Sequence, residues 1–329
     1  MQISKRNILK GLIAAPVLAS PALILASAGQ ANSQTSEPVA SAQVAGFYRY
    51  RVGDIEVTAL LDGYTALPTG FVLGYEADAA REATEKSYRR FTPDMVNIPV
   101  NGYVINTGSN LILVDAGAPT LISKTLGGLT GNLRAAGFDP ANIDTVLFTH
   151  LHPDHVGALL GPDGGKAFEN ATFICSEAEW GFAHSEEVKM AMPEEFRGMI
   201  DLVRQFVMPY ADNQQLFSGE KELFTGITSV PLPGHTPGHT GFAIHSGGES
   251  LLIWGDVIHF ATLQFAYPDW GVVFDADPAL AIETRRAMLD RASADRMAVA
   301  GMHIDFPGIG YVEKTGDSFQ YINAPWMPA

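Results

Sequence analysis

The chain predicts an α/β fold in which two β-sheets pack together and helices cover their outer faces. Three observations carry this expectation. Short apolar runs alternate with amphipathic helical segments, in two halves of similar order. Ligand-type side chains gather at the ends of the apolar runs, where layered α/β folds open a crevice. The 329 residues, 47% of them hydrophobic, suffice for one large domain or two small ones with a sizeable core.

The elements follow in order. Residues 1–31 read as an export signal. Lys5, Arg6 and Lys10 precede an Ala/Leu/Ile/Val stretch that closes on small residues, Ala26-Ser27-Ala28 or Gly29-Gln30-Ala31. Pro16 and Pro21 interrupt the run, which argues against a membrane anchor. The stretch "SKRNILK" resembles the bacterial twin-arginine export signal, with Lys5 in place of its first arginine. A periplasmic or secreted protein is therefore expected. Residues 32–45 read as a flexible linker, and the folded domain spans 46–329.

"YRYRVGDIEVTALLDG" predicts two strands with a turn at Gly53-Asp54. Residues 65–95 lack periodicity and read as a long loop with a helical piece. "GYVINTGSNLILVDAG" predicts a hairpin around Thr107-Gly108-Ser109-Asn110. A helix is expected over about 120–136, stopped by Gly137. The buried strand "IDTVLF" then leads into "THLHPDHVG". "ATFICS" is a strand, after which Ser176 and Glu179 form a capping-box pair opening a helix. A second helix covers about 193–208. Three strands lie in "FTGITSVPLPGHTPGHTGFAIHSGGESLLIWGDVI", a helix in "PALAIETRRAMLDRA" and a last buried strand in "MAVAGMH".

Charge and cysteine content narrow the function. Lys and Arg number 21 against 36 Asp and Glu, a net charge of −15. Nucleic-acid binding needs a cationic face, so no nucleic-acid partner is expected. Cys175 is the only cysteine, which excludes an internal disulfide and a cysteine-rich metal site. It is expected to be a buried strand residue.

The chemistry sits at strand ends. His150, His152, Asp154 and His155 follow one strand, His235 a second, Asp256 a third and His303 a fourth. Neutral imidazoles together with carboxylates suit zinc, manganese, iron or cobalt. A nucleophilic triad would need an activated Ser or Cys, and no nucleophile elbow is present. A His-rich solvated loop is the plain alternative for "HLHPDH" alone. The later "GH", "GD" and "GMH" strand ends argue against it. His245 sits before "SGGES" and reads as a surface residue.

The motifs "THLHPDHVG", "PGHTPGHT" and "WGD", with a final His, resemble the metallo-β-lactamase superfamily of dinuclear hydrolases. The finer similarity, carried by "GYVINTGSNLILVDAG" and "HIDFPGIGYV", is to methyl parathion hydrolase and its lactonase and arylesterase relatives. The resemblance implies an αββα sandwich with the site on one edge. It implies that His150, His152 and His235 hold one divalent ion, that Asp154, His155 and His303 hold the other, and that Asp256 bridges both. Zinc is the expected metal, with manganese, cobalt or iron as alternatives, and a hydroxide shared by the ions is the expected nucleophile. Asp154 or Asp256 would relay its proton. Asp115 and His239 would support the ligands from behind.

The bridging Asp256 separates this chain from the true β-lactamases of the superfamily and groups it with the lactonases. His259 stands where quorum-quenching lactonases place a tyrosine facing the substrate carbonyl, and is expected to take that catalytic role. Trp180, Phe182 and His184 on the helix after Ser176, with Phe260, Phe265 and Phe306, are the candidates for lining an apolar pocket, although any one such aromatic is more often a core residue. The implied substrate is a hydrophobic small-molecule ester, lactone or organophosphate triester, and a homodimer is left open. A β-lactamase, a thioesterase or a non-catalytic metal-binding member are the competing readings.

Overall fold

The computed structural model describes residues 43–328, so the expected export signal lies outside the described residues. The chain opens with the antiparallel pair β1 (Phe47–Val52) and β2 (Ile55–Pro68), turned at Gly53-Asp54 as expected. β3 (Val72–Leu73) and α1 (Ala77–Lys86) supply the helical piece of the next segment. The segment is more regular than expected, because β2 runs on to Pro68 and stays paired with β4 (Met95–Asn106). β5 (Leu111–Val114) completes the hairpin.

The helix expected over 120–136 is shorter. It is α2 (Leu129–Ala135), and the preceding residues are irregular. Gly127 takes a positive φ of 86°, and the backbone N–H groups of Gly127 and Leu129 are bound to the buried Asp62 carboxylate instead of extending a helix. β6 (Thr145–Leu147) leads into α3 (Pro153–Val156). β7 (Thr172–Ser176), α4 (Glu177–His184), α5 (Glu186–Ala191), α6 (Glu194–Val207) and β8 (Gln214–Phe217) close the first half.

The second half begins with β9 (Glu222–Phe224), β10 (Ile227–Pro231), β11 (Thr240–Ser246) and β12 (Glu249–Ile253). α7 (Ala261–Gln264) and β13 (Gly271–Val272) form the excursion after Asp256. α8 (Pro278–Ala294), β14 (Ala298–Ala300), β15 (Ile309–Thr315) and β16 (Ser318–Asn323) follow. No strands were expected for the last hairpin, β15 and β16.

Two seven-stranded sheets result, in the orders β1-β2-β4-β5-β6-β7-β8 and β16-β15-β14-β12-β11-β10-β9. Strand alternation builds the layers. Ile112 and Val114 of β5 face inward to meet Phe242, Ile253 and Ala300 of the second sheet. Leu113 faces outward, onto Leu129, Leu133, Val203 and Val207 of α2 and α6. On the far side, Leu252 and Val299 pack against Met288, Leu289 and Ala292 of α8. The order is helix, sheet, sheet, helix, as the sequence implied. Cys175 is fully buried in the outer core of the first sheet.

Strand direction fixes the position of the site. β5, β6, β7 and β8 are parallel. β12 and β14 are parallel, and β10 is antiparallel to β11, itself antiparallel to β12. The C-terminal ends of β10, β12 and β14 therefore share one edge of their sheet, as those of β5 and β6 share one edge of theirs. At those ends stand Asp115, His150, His235, Asp256 and His303.

Candidate metal centre

The ligand-type residues converge around Asp256, whose carboxylate is 97% removed from solvent. Its Oδ2 lies 3.1 Å from His303 Nε2, 3.1 Å from His259 Nε2, 3.4 Å from His155 Nε2, 3.5 Å from His235 Nε2 and 3.7 Å from His150 Nε2. Donor atoms within 4.8 Å of one another form the sets His150, His152, His235 and Asp154, His155, His303, both flanking Asp256. A further set joins His235, Asp256 and His259. His152 Nδ1 and His235 Nε2 approach to 2.9 Å, as two imidazoles turned toward one cation do.

The local sequence explains how each ligand is aimed. His150 lies in extended chain just past β6, and His152 is the last extended residue before Pro153 starts α3. That turn swings Asp154 and His155 away from His150 and His152, toward His303. Gly255 has φ +57°, and a β-carbon there would sit 2.4 Å from His239 Nε2. Only glycine lets the chain pass His239 and present Asp256.

Hydrogen bonds from outside set the tautomers. His155 Nδ1 donates to Asp115 at 2.7 Å, His235 Nδ1 to Asp275 at 2.8 Å and His303 Nδ1 to the Pro99 carbonyl at 2.8 Å. Each bond leaves the Nε2 lone pair facing inward, the arrangement by which proteins orient metal-binding imidazoles. Asp115 also accepts from the N–H and hydroxyl of Thr149, and holds a left-handed backbone at φ 58°. A non-glycine residue in that region stores strain at a site the surroundings over-determine. His239 is not in the cluster. Its Nδ1 donates to Leu232 O and its Nε2 accepts from the Asp256 N–H.

The residues fit divalent ions. His150 Nε2, His155 Nε2, Asp256 Oδ1 and both ring nitrogens of His259 are buried without a hydrogen-bond partner. Orphaned lone pairs of this kind cost free energy unless a cation or donor meets them. The electrostatics agree. Burial, reinforced by neighbouring imidazoles, pushes His150 and His152 well below the ordinary 6.5 and His235 down to about 4. Burial also lowers His239. In His155 and His303 burial pulls the same way, but the Asp256 and Asp154 carboxylates outweigh it and raise both. Burial would raise Asp256, yet the surrounding imidazoles hold it well below the usual carboxylate range. The pocket holds three imidazoles deprotonated and draws protons to two others, around a carboxylate that stays charged.

Residues 96–303 match the family model described as Metallo-beta-lactamase superfamily. The chain belongs to the metallo-beta-lactamase superfamily. Two solved structures align over more than four fifths of the chain. One is hydrolase AbOPH of the beta lactamase superfamily, 32% identical with a TM-score of 0.82, covering 87% of this chain and 100% of that one. The other is AidC, a dizinc quorum-quenching lactonase in complex with a product, 25% identical with a TM-score of 0.80, covering 86% and 99%. An N-acyl homoserine lactonase from Bacillus sp is 27% identical over 173 residues, 46% of this chain and 61% of that protein. The lactonase AttM of Agrobacterium fabrum is 31% identical over 131 residues, 38% and 45%. The chain thus spans less than two thirds of these curated relatives.

The expected aromatic pocket needs correction. Trp180 packs edge-on against Phe173 in the outer core, and His184 stacks on Trp180 at 4.0 Å with its Nδ1 bound to Trp180 O. The reason is helical spacing. Trp180 and the buried Ala183 share the face of α4 that must cover the first sheet. Phe182 is half-buried on the same helix. Phe265 lies in the outer core of the second sheet, against Trp254 and Tyr321. Phe306 is half-buried against the inter-sheet core. Phe260 is buried beside His259, in a cluster with Val72, Leu263 and Trp270.

The aromatics nearest in chain to a ligand support are others. Phe274 precedes Asp275 and meets Phe71 at 5.3 Å and Phe196 at 5.7 Å. They come from three distant segments, so no local pattern announced them. Nor did the sequence mark Asp275 as the partner of His235. Glu179 was expected to bond back to Ser176. Ser176 does cap its N–H, but the Glu179 carboxylate turns the other way.

The shifts fix the pH response of the metal-free protein. His150, His152, His235 and His239 have folded values below 6.5, so below that pH the unfolded chain binds protons that the native state does not, and stability falls as pH drops. His155 and His303 have folded values above 6.5, so their contribution is lost as pH rises past it. Glu179, raised by burial to about 7, and Asp62, also raised by burial, oppose the acid-side trend as two groups against four. Urea unfolding of chelator-treated protein, followed from about pH 4 to about pH 9, should give a maximum near pH 6.5. A steady rise through the alkaline arm would contradict this electrostatic picture.

Proposed function

We propose that this chain is a dinuclear metal-dependent hydrolase acting on lactones or aryl esters, with organophosphate triesters as further substrates. The observation that carries the reading is the pair of three-ligand sets on either side of one buried, charged Asp256. His150, His152 and His235 would hold one ion, and Asp154, His155 and His303 the other, with Asp256 between them. The dizinc lactonase neighbour and the lactonase relatives support zinc and a lactone substrate. When bound, such an ion pair lowers the pKa of a shared water toward neutrality and polarises the electrophilic oxygen.

The chain's own residues do the rest. Asp256 balances charge between two cations. Asp154, whose side chain is 27% exposed, is placed to pass a proton to solvent. Asp115, Asp275 and the Pro99 carbonyl keep three imidazoles in the tautomer that binds metal. His259 is buried with both nitrogens unpartnered, beside Asp256 and stacked on His303 at 5.4 Å. Its backbone N–H and that of Phe260 both donate to the buried Gln264, whose amide donates to Trp270 O. Arg285 binds that same carbonyl and also those of Val257 and Pro268. So fixed, His259 can donate a hydrogen bond to the oxygen that gains charge as the carbonyl is attacked.

The discriminating experiment is a hydrolysis screen of zinc- and manganese-loaded protein against lactones, p-nitrophenyl esters, methyl parathion, a thioester and a cephalosporin. Lactone or aryl-ester turnover, abolished by chelation, is expected. Turnover of the cephalosporin alone, or of nothing, would reject the reading. In the same assay His259→Leu should slow lactone turnover by about 10²-fold with little change in KM, and spare the phosphotriester. Equal loss on both substrate classes, or on neither, would remove His259 from this role. We also propose that residues 1–31 are an export signal. N-terminal sequencing of periplasmic protein should begin near Gly29 or Asn32, and an intact Met1 would refute cleavage.

A further inference from the structure

Glu179 is a buried carboxylate that the catalytic reading leaves unused. It is 1% exposed, on the first turn of α4, outside the histidine cluster. Its oxygens do not serve its own helix. Oε1 accepts from the Leu151 N–H at 2.9 Å, and Oε2 from the Thr236 hydroxyl at 2.5 Å. Leu151 is the residue between His150 and His152, and Thr236 directly follows His235. One side chain thus joins the two loops that carry one three-histidine set.

The rest of the helix start reinforces the joint. Ser176 Oγ accepts from the Glu179 N–H at 3.2 Å and donates to the Gly238 carbonyl at 2.9 Å. A β-carbon on Gly238 would lie 2.2 Å from the Glu179 nitrogen, so the loop reaches the helix only because residue 238 is glycine. Burying a carboxylate is costly unless its lone pairs are met. A fold that needed only a helix cap had Ser176 for it. We infer that Glu179 is a positioning residue that fixes the His150, His152 and His235 backbone for their ion by tying both ligand loops to α4. This rests on the dinuclear reading above.

The test compares zinc-loaded parent enzyme with Glu179→Ala, Glu179→Gln and Thr236→Val. The readouts are ions per chain, the rate of zinc loss to a colorimetric chelator, Tm with and without zinc, and kcat and KM. Glu179→Ala should lose one of its two ions about 10–100-fold faster than the parent, with kcat falling more than KM rises. Glu179→Gln keeps an oxygen for Leu151, and the Thr236 hydroxyl can turn to accept from its amide, so retention should be largely restored. Thr236→Val should move the same ion in the same direction by less. A purely structural role predicts lower Tm in both metal states with parental zinc release, and that result overturns the inference. If Glu179→Ala does not fold, a parental release rate in Thr236→Val overturns it equally. A parent that binds no zinc would overturn the dinuclear reading itself, and is recognisable as such before any variant is made.

Discussion

A charged carboxylate buried in a protein interior must be met by compensating charge or hydrogen bonds, and Asp256 is the point where this fold has to satisfy that requirement. Five imidazole nitrogens lie within 4 Å of its Oδ2, and together they hold the group ionised despite burial. Those imidazoles cannot all be protonated side by side. Burial keeps His150, His152 and His235 neutral, while the carboxylates pull protons toward His155 and His303. Divalent cations would displace the protons drawn to His155 and His303 and meet neutral nitrogen donors around the carboxylate.

The remaining architecture serves that convergence. Parallel strand directions bring the C-terminal ends of β5 and β6, and of β10, β12 and β14, to the edges from which every ligand departs. Behind the imidazoles stands a layer of hydrogen-bond acceptors: Asp115, Asp275 and the Pro99 carbonyl. Behind that layer, Arg285 and Gln264 fix the excursion between Val257 and Trp270 through its backbone. Glu179 does the corresponding work on the side of the first sheet. Polar side chains hold the site from outside, and at its centre His150 Nε2, His155 Nε2, Asp256 Oδ1 and both His259 nitrogens have no hydrogen-bond partner. That distribution is the physical mark of a place prepared for cations.

Most of the site was legible because it is local. "HLHPDH" places four donors around a proline turn, and His235, Asp256 and His303 each follow an apolar run that reads as a strand. The layer order was legible from alternation, as in Ile112, Leu113 and Val114, which face opposite cores. What could not be read depended on contacts between distant segments. Trp180 was placed in the pocket because it shares a helical turn with His184, but that face of α4 covers the sheet. Phe71, Phe196 and Phe274 meet only once the chain has folded. The spacing of Ser176 and Glu179 satisfied a capping-box rule, and tertiary partners then claimed the carboxylate. The helix before Gly137 lost its first turns to Asp62, a residue more than sixty positions away.

The central claim is that two ions share Asp256. The most direct measurement is anomalous scattering at the zinc edge from crystals of zinc-loaded protein. The account predicts two peaks per chain, about 3.5–4 Å apart, with the Asp256 carboxylate between them. One peak lies among His150, His152 and His235, and the other among Asp154, His155 and His303. A single peak, or two peaks with Asp256 bound to neither, would contradict it.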